Sequence, residues 1–282
     1  MTLRLGQVIT VVVSSSTAVK EVFQKNDVVL SNRWAPEFVR ALNYNENSII
    51  WASPSAQWRF FRKISHTHVF LTSGLDAGQN FREKKVAELL SYVQKSSEQR
   101  AAFDIGQVAS ITTVNLLSNT FFSTDLVELT STATNVFEDL LHTLLADAGA
   151  PNFSDFFSII RPLDLQGVKC RATVTITKMM SIFDSIINQR LSERKCDQLQ
   201  KNDVLDVLLN ISEDSKELKR SHIPFILTDL FTAGSETTTT TLEWAMGELL
   251  RHPEKLKKAQ EELEMITGKG NRVKEAQLPL IG

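Results

Sequence analysis

Apolar residues dominate a long segment of the chain that starts near Ser221 and ends at Pro253. Ser221 can cap a first helical turn, Pro224 is tolerated that early, and Pro253 cannot continue a helix interior. The segment therefore predicts a single helix of roughly 45 Å. Its apolar residues cover much of the circumference, which predicts a helix that runs through a core. They are Ile223, Ile226, Leu227, Leu230, Phe231, Ala245, Met246, Leu249 and Leu250.

The remaining pattern indicates a small β-rich start followed by helices, so the predicted fold class is mainly α. The predicted helices run from Ser53 to Thr67, Leu75 to Lys95, Asp104 to Leu117, Leu126 to Leu145, Thr173 to Leu191, Asp203 to Leu209, Ser221 to His252 and Pro253 to Ile266. Lys and Glu residues at i,i+4 spacing give the last of these a solvated face. No Pro/Gly/Ser-rich linker divides the chain, so residues 1–282 are predicted to form one domain.

The run Ala233-Gly234-Ser235-Glu236-Thr237 interrupts the apolar pattern with groups that suit oxygen chemistry. Thr237 lies four residues after Ala233, so its hydroxyl can bond the Ala233 carbonyl and bend the helix. Gly234 would let a ligand approach the backbone there, and Glu236 could pass protons through water as a general acid. The alternative is a Thr-rich patch on a buried helix, with Glu236 merely reaching solvent.

A second candidate site is the pair Trp58 and Arg62, which stand at i and i+4 of the helix predicted from Ser53. Ser53 is the expected cap, and Pro54 suits the first helical position. An indole N–H and a guanidinium on one face are both donors without acceptors, so together they suit a carboxylate. The alternative is an amphipathic helix in which Trp58 packs inward and Arg62 extends to water.

The composition is that of a soluble globular protein. Hydrophobic residues make up 42% of the chain and charged residues 23%, with only seven prolines, so we expect a large core and no broad disorder. The net charge of −2 does not indicate the basic surface of a nucleic-acid-binding protein. Two cysteines without pairing logic fit a reducing compartment. His66 and His68 lack a nearby Cys or acid to complete a site, so no metal site is predicted.

The two motifs, in this order and widely separated, resemble those of the cytochrome P450 family, and in particular its plant microsomal members such as the monoterpenoid (geraniol 8-) hydroxylases. The resemblance covers nearly the whole chain, to about Gly270. Leu3–Gly6 and Val8–Val13 look like the first β-hairpin of that fold, and Ser16–Lys25 like the helix after it. Residues 242–253 look like the end of its long oxygen-side helix.

The resemblance implies a haem cofactor, with Trp58 and Arg62 binding one of its propionates. It also implies a small hydrophobic, terpenoid-like substrate and electrons from an NADPH-cytochrome P450 reductase. One oxygen atom of O2 would be inserted into the substrate. The implied location is the cytosolic face of the endoplasmic reticulum membrane.

The same resemblance implies roles for the residues of the long apolar segment. Ala233 and Gly234 would line the oxygen groove of the haem site. Glu236 and Thr237 would form the acid–alcohol pair that delivers protons for O–O cleavage. The two motifs would then perform different tasks in one reaction.

The departures from the family pattern concern the iron ligand and the two ends. The family holds its iron by a Cys thiolate in a Phe-x-x-Gly-x-Arg-x-Cys-x-Gly loop. Cys170 and Cys196 lack those flanks and precede the long helix, so neither is predicted to bind iron. No apolar anchor precedes Leu3, and Thr10–Val13 is far below the roughly 20 residues of a membrane span. We therefore expect an incomplete cytochrome P450 fold that reaches the helix after the oxygen-side helix and lacks the haem-thiolate part.

Two function classes remain open from the sequence. One is a haem-thiolate monooxygenase that hydroxylates a terpenoid-like substrate, which describes the ancestry of the chain. The other is a catalytically inactive helical fragment, from a pseudogene or a splice product, which binds haem without a thiolate or not at all. For this polypeptide alone we expect the second, cytosolic in the absence of an anchor. We also expect poor stability, because an uncovered apolar patch on the long helix favours aggregation.

Overall fold

A computed structural model of the chain describes residues 1–70, 78–127, 136–197 and 201–281. These residues are mainly helical, as predicted, and their strands are β1 (Thr2–Leu5) and β2 (Val8–Val11). Their α-helices are α1 (Ser16–Lys20), α2 (Asp27–Leu30), α3 (Tyr44–Asn47), α4 (Ala56–Ile64), α5 (Gln79–Glu98), α6 (Ile105–Phe122), α7 (Val136–Gly149), α8 (Phe153–Phe156), α9 (Val168–Asp197), α10 (Val204–Asp214), α11 (Ile223–Arg251) and α12 (Pro253–Thr267). Short 3-10 or π-helical segments occupy Glu21–Lys25, Glu37–Asn43, Ser65–Val69, Ser158–Leu163, Arg220–His222 and Glu275–Leu280.

The two strands form an antiparallel hairpin at the start of the chain, in which Leu5 pairs with Val8. Gly6 begins the two-residue turn with a φ of +61°, a conformation that disfavours other residues. A Cβ atom on Gly6 would also lie 2.6 Å from the carbonyl oxygen of Phe156. A glycine is therefore required both by the turn and by the close approach of another backbone segment.

The starts of two predicted helices differ from the structure. Ser221 does not cap α11, because it lies within the 3-10 turn Arg220–His222, which leads directly into the helix. Ser53 does not cap α4 either: the cap is Ser55, whose hydroxyl accepts a 3.1 Å hydrogen bond from the backbone N–H of Trp58. The nearby Ser55 satisfies the capping rule for α4, and the 3-10 turn shifts the start of α11, so both helices were placed correctly and their first residues were not.

Two further predictions fall partly outside the described residues. The predicted helix start at Leu75 lies in residues 71–77, and the described helix begins at Gln79. Residues 128–135 of the helix predicted from Leu126 also lie outside the described ranges. Leu126 and Val127 are not helical, because Asn115 bonds their backbone N–H groups through its side-chain oxygen at 3.2 and 3.1 Å.

The described residues divide into two compact units, of which the first contains Met1–Val69 and Thr134–Thr232. Its core includes three mutually packed rings from α7, α9 and α11, namely Phe137, Phe183 and Phe231. Their ring centres are 5.1 to 5.7 Å apart. Aromatic rings at this spacing contribute packing energy beyond the area that they bury. The three helices are therefore joined by packed aromatic side chains.

A buried ionic cluster connects the end of α9 to the start of α10 within this first unit. Arg190 binds both carboxylate oxygens of Asp203 at 2.8 Å and one oxygen of Asp206 at 2.8 Å. All three side chains are at most 4% exposed. Asp203 also caps α10 by accepting a 3.0 Å bond from the backbone N–H of Asp206. Arg194 adds a second cation by binding Asp206 at 2.9 Å, so two guanidinium groups balance two carboxylates that could not be buried alone.

The second unit contains Phe70–Ala133 and Ala233–Gly282. Helices α5 and α6 pack against each other in it, and the ring of Tyr92 meets that of Phe103 edge to face. Lys85 on α5 is buried and binds Glu88 at 2.8 Å and Asp125 at 2.6 Å. These bonds satisfy an ammonium group that burial would otherwise penalise.

Helix α11 changes its exposure along its length. Ile226 and Phe231 are fully buried, whereas Leu242, Trp244 and Leu250 are 44%, 67% and 60% exposed. The prediction of a core helix throughout is therefore wrong for the second half, because an apolar circumference shows only that a helix can be buried. Within the described ranges, no helix combines the length and the apolar character needed to cross a membrane.

Candidate functional site

Helix α4 carries the first predicted pair on one face, within the first unit. The cap at Ser55 fixes the first turn, and Trp58 and Arg62 follow at i and i+4. The guanidinium carbon of Arg62 lies 5.4 Å from the centre of the Trp58 ring, which is cation–π geometry. The structure therefore brings the two predicted residues together.

The indole N–H of Trp58 is already used by the backbone. It donates a 2.9 Å hydrogen bond to the carbonyl oxygen of Ile49. This differs from the predicted pair of open donors, because a half-buried indole N–H pairs with the carbonyl within its reach. The Arg62 side chain is exposed and has no carboxylate partner among the described residues. Arg62 is thus the open donor, and Trp58 is the surface on which it lies.

A cavity of about 450 Å³ lies beside this pair, in the first unit. Its lining includes Trp58, Arg62, Phe23 and two further charged residues, Asp27 and Arg33. Two guanidinium groups face one carboxylate there, so the charge of the lining favours an anionic group. An apolar ring and a positive charge in one cavity suit a flat hydrophobic molecule that bears a carboxylate.

Behind Trp58, the buried carboxylate of Asp229 on α11 binds the chain segment before α4. Its Oδ1 accepts hydrogen bonds from the Tyr44 hydroxyl at 2.6 Å and the Ser48 hydroxyl at 2.8 Å. Its Oδ2 accepts a 2.5 Å bond from the backbone N–H of Ile49. Burial raises the pKa of Asp229 to about 6, although these hydrogen bonds act to lower it. The sequence analysis did not identify Asp229 as a functional residue. The pattern that could have indicated it is a single acidic residue inside an otherwise apolar segment.

The second predicted motif lies near the middle of α11, in the second unit. The hydroxyl of Thr237 donates a 2.8 Å bond to the carbonyl of Ala233, the contact that the spacing predicted. Thr238 and Thr241 bond the carbonyls four residues before them in the same way, at 3.1 and 2.7 Å. These bonds explain how a threonine run is accommodated in a helix. Helix α11 continues unbroken through these residues.

Two further residues of the motif, Glu236 and Gly234, contact side chains within the second unit. The hydroxyl of Thr240 donates to Oε1 of Glu236 at 3.3 Å, and Glu236 is half-buried. A Cβ atom on Gly234 would lie 3.1 Å from both methyl groups of Leu117 on α6. The glycine therefore allows two helices to approach closely, a structural role beside the predicted role in admitting a ligand.

The described residues form a mainly α fold that carries the Trp58–Arg62 pair on α4 and a Glu-Thr pair on a long helix. The sequence model of the cytochrome P450 family matches residues 1–281, and the chain therefore belongs to that family. This confirms the resemblance noted from the two motifs. The match extends over both units.

Three relatives illustrate the similarity. The geraniol 8-hydroxylases of Catharanthus roseus and Swertia mussotii are 42% and 44% identical over 279 residues, which is 99% of this chain and 56% of each relative. Drimenol monooxygenase of Persicaria hydropiper is 42% identical over 276 residues, 98% of this chain and 55% of the relative. The chain thus spans about half the length of the curated relatives it matches.

Membership of this family implies a haem cofactor. The residues of α4 fit one part of the cofactor: the Arg62 guanidinium lacks a carboxylate partner among the described residues, and it suits a haem propionate. Trp58 would contribute its ring face there, since its N–H is bound to Ile49. Cys170 and Cys196 are both free and exposed on α9, and neither has the flanks of the family's thiolate loop.

Proposed function

We propose that the chain contributes to a haem-thiolate monooxygenase that hydroxylates a small hydrophobic, terpenoid-like molecule. Membership of the cytochrome P450 family supports the reaction class. The names of the relatives, two geraniol 8-hydroxylases and a drimenol monooxygenase, support the substrate class. When bound, the haem would supply the activation of O2, and the residues of this chain would hold the cofactor and move protons.

The observation that carries the proposal is the Arg62 guanidinium held over the Trp58 ring. In this proposal Arg62 binds a haem propionate, and Trp58 orients the guanidinium by cation–π contact. The indole N–H stays on the Ile49 carbonyl, which fixes the ring plane. A positioned guanidinium loses less freedom on binding than an unrestrained one, so the cofactor is held more tightly.

The proposal gives the second motif its role in proton delivery. Ala233 and Gly234 line the oxygen groove. Glu236 takes a proton from water and passes it toward the Thr237 hydroxyl, as a general acid does. Thr237 holds its own hydroxyl on the Ala233 carbonyl at 2.8 Å, so its oxygen has a defined position as acceptor.

An electron donor completes the proposal. We assign NADPH-cytochrome P450 reductase as the redox partner and the cytosolic face of the endoplasmic reticulum as the place of action, because the resemblance to plant microsomal members implies both. The net charge of the chain is only −2, so a redox partner would recognise a local patch of charged residues and not the electrostatic field of the whole protein.

Hemin and geraniol provide the test of this proposal. The purified chain is titrated with hemin, and then geraniol is added while the Soret absorbance is recorded. The proposal predicts saturable hemin binding and a saturable geraniol-induced shift of the Soret band, with no shift on addition of glucose as a polar control. Absence of saturable hemin binding, or equal responses to geraniol and glucose, contradicts it.

A further inference from the structure

The segment between α3 and α4 is held on one side by α11 and holds Trp58 on the other. We call residues 48–51 the α4-entry loop. Asp229 binds the Ser48 hydroxyl at 2.8 Å and the Ile49 N–H at 2.5 Å. The carbonyl oxygen of the same residue, Ile49, accepts a 2.9 Å hydrogen bond from the indole N–H of Trp58. A single residue therefore joins a buried carboxylate to the candidate site.

The loop is organised further by the Ser48 side chain. Its oxygen accepts hydrogen bonds from the backbone N–H groups of Ile50 at 3.0 Å and Trp51 at 3.1 Å, while its own proton goes to Asp229. Ser48 is fully buried, and Asp229 is 2% exposed. Each polar group of this network has a partner, so the loop backbone has one favoured path.

We propose that Asp229 is a positioning residue for the Trp58–Arg62 pair: it fixes the α4-entry loop, the loop carbonyl fixes the indole, and the indole orients the guanidinium. This deepens the proposed function, because it rests on Arg62 binding the haem propionate. Asp229 itself touches neither Trp58 nor the anion. Its carboxylate acts through the backbone of Ile49, and it is supported from α3 by the Tyr44 hydroxyl at 2.6 Å.

The test compares two substitutions at the same carboxylate. Asp229→Asn keeps the shape of the side chain but replaces one acceptor oxygen by an NH2 group. That group then faces a donor, either the Ile49 N–H or the hydroxyls of Tyr44 and Ser48, so the loop loses a hydrogen bond. Tyr44→Phe removes one hydroxyl and leaves the bonds of Asp229 to Ser48 and Ile49 in place. Tyr44→Phe is therefore the matched control, because it disturbs the network without releasing the loop.

The readout is the hydrogen exchange of the Trp58 indole N–H, followed by NMR on the 15N-labelled chain and assigned with Trp58→Phe. We expect about tenfold faster exchange in Asp229→Asn and a change of less than about twofold in Tyr44→Phe. Unchanged Trp58 exchange in a folded Asp229→Asn chain overturns the proposal. So does equal acceleration by both substitutions, since that would indicate general loosening of the fold.

Where Asp229→Asn does not fold, Ser48→Ala tests the same connection with a smaller change. It removes the hydroxyl that joins Asp229 to the N–H groups of Ile50 and Trp51, and we expect faster Trp58 exchange; unchanged exchange overturns the proposal. Hemin affinity is the second readout, with a dissociation constant raised about three- to tenfold in Asp229→Asn. A wild-type chain that does not bind hemin refutes the proposed function alone, since indole exchange still decides the role of Asp229.

Discussion

The hydroxyl group of Thr237 lies 2.8 Å from the carbonyl oxygen of Ala233, one helical turn earlier on α11. Thr241 makes the same contact with Thr237 at 2.7 Å. Two threonines on one helix thus share a local geometry, and only one of them belongs to the predicted acid–alcohol pair. Their comparison separates the chemistry of the pair from the conformation of the helix.

Thr237→Val and Thr241→Val are expected to have similar effects on stability and different effects on turnover. Each removes an exposed hydroxyl bonded within the helix, so the free energy of unfolding should change by less than about 0.5 kcal/mol. Loss of the Thr237 hydroxyl should lower hydroxylated product per NADPH consumed by about 100-fold, the usual scale of general acid catalysis. The measurement is product and NADPH in a reductase-coupled assay with geraniol. Equal and measurable product formation by the two variants would contradict the role of Thr237.

Gly234→Ala tests whether this glycine allows the approach of α6. An added methyl group improves helix propensity by about 1 kcal/mol, but here it meets both Leu117 methyls at 3.1 Å. Such crowding costs about 1 to 3 kcal/mol, so we expect net destabilisation of about 1 kcal/mol in urea unfolding. In a Leu117→Ala background the same substitution should become stabilising. A stabilising Gly234→Ala in the wild-type background would exclude Leu117 as the constraint.

The buried cluster at the α9–α10 junction should dominate the stability of that region. Arg190→Met removes the guanidinium that Asp203 and Asp206 share and leaves Asp206 with Arg194, and we expect a loss of about 3 kcal/mol. The control is Lys257→Met on α12, whose pair with Glu261 is exposed, at 77% and 62%. That variant should lose less than about 0.5 kcal/mol. Similar losses in urea unfolding for the two variants would show that burial does not set the strength of the cluster.

The raised pKa of Asp229 makes a prediction about pH. Burial raises it to about 6 from its ordinary 3.8, so the folded chain holds this proton more tightly than the unfolded chain does. The stabilisation is complete below pH 3.8 and is lost as the pH rises through about 6. Relative to Asp229→Asn, the wild type should therefore lose roughly 3 kcal/mol of unfolding free energy between acidic and neutral pH.

The measurement is urea unfolding of wild type and Asp229→Asn between pH 4 and 8, reported as a difference. Tyr44, the titratable side chain bonded to Asp229, has a pKa raised well above its ordinary value by burial, so it stays neutral throughout. His222 has a lowered pKa because of burial, but it is present in both proteins and cancels in the difference. A pH-independent difference would contradict a buried carboxyl that titrates in this range.

The features that the sequence predicted are local ones. Helices α4 and α11, the i,i+4 pairing of Trp58 with Arg62, and the Thr237–Ala233 contact all depend on helical spacing, which a pattern of residues contains. The bond between Asp229 and Ile49 joins residues 180 positions apart, and the approach of Leu117 to Gly234 joins two different helices. No local pattern contains such pairs, so the acceptor of the Trp58 indole and the role of Asp229 emerged only from the fold.

The central claim is that Arg62 is the open cation of an anion-binding site beside Trp58. The direct measurement is hemin titration of wild type, Arg62→Gln and Arg59→Gln, followed by Soret absorbance. Both substitutions remove one exposed guanidinium from α4, and only Arg62 lies over the Trp58 ring. The account predicts that Arg62→Gln raises the hemin dissociation constant about tenfold or more, while Arg59→Gln leaves it within about twofold. Equal affinities of the two variants would contradict it.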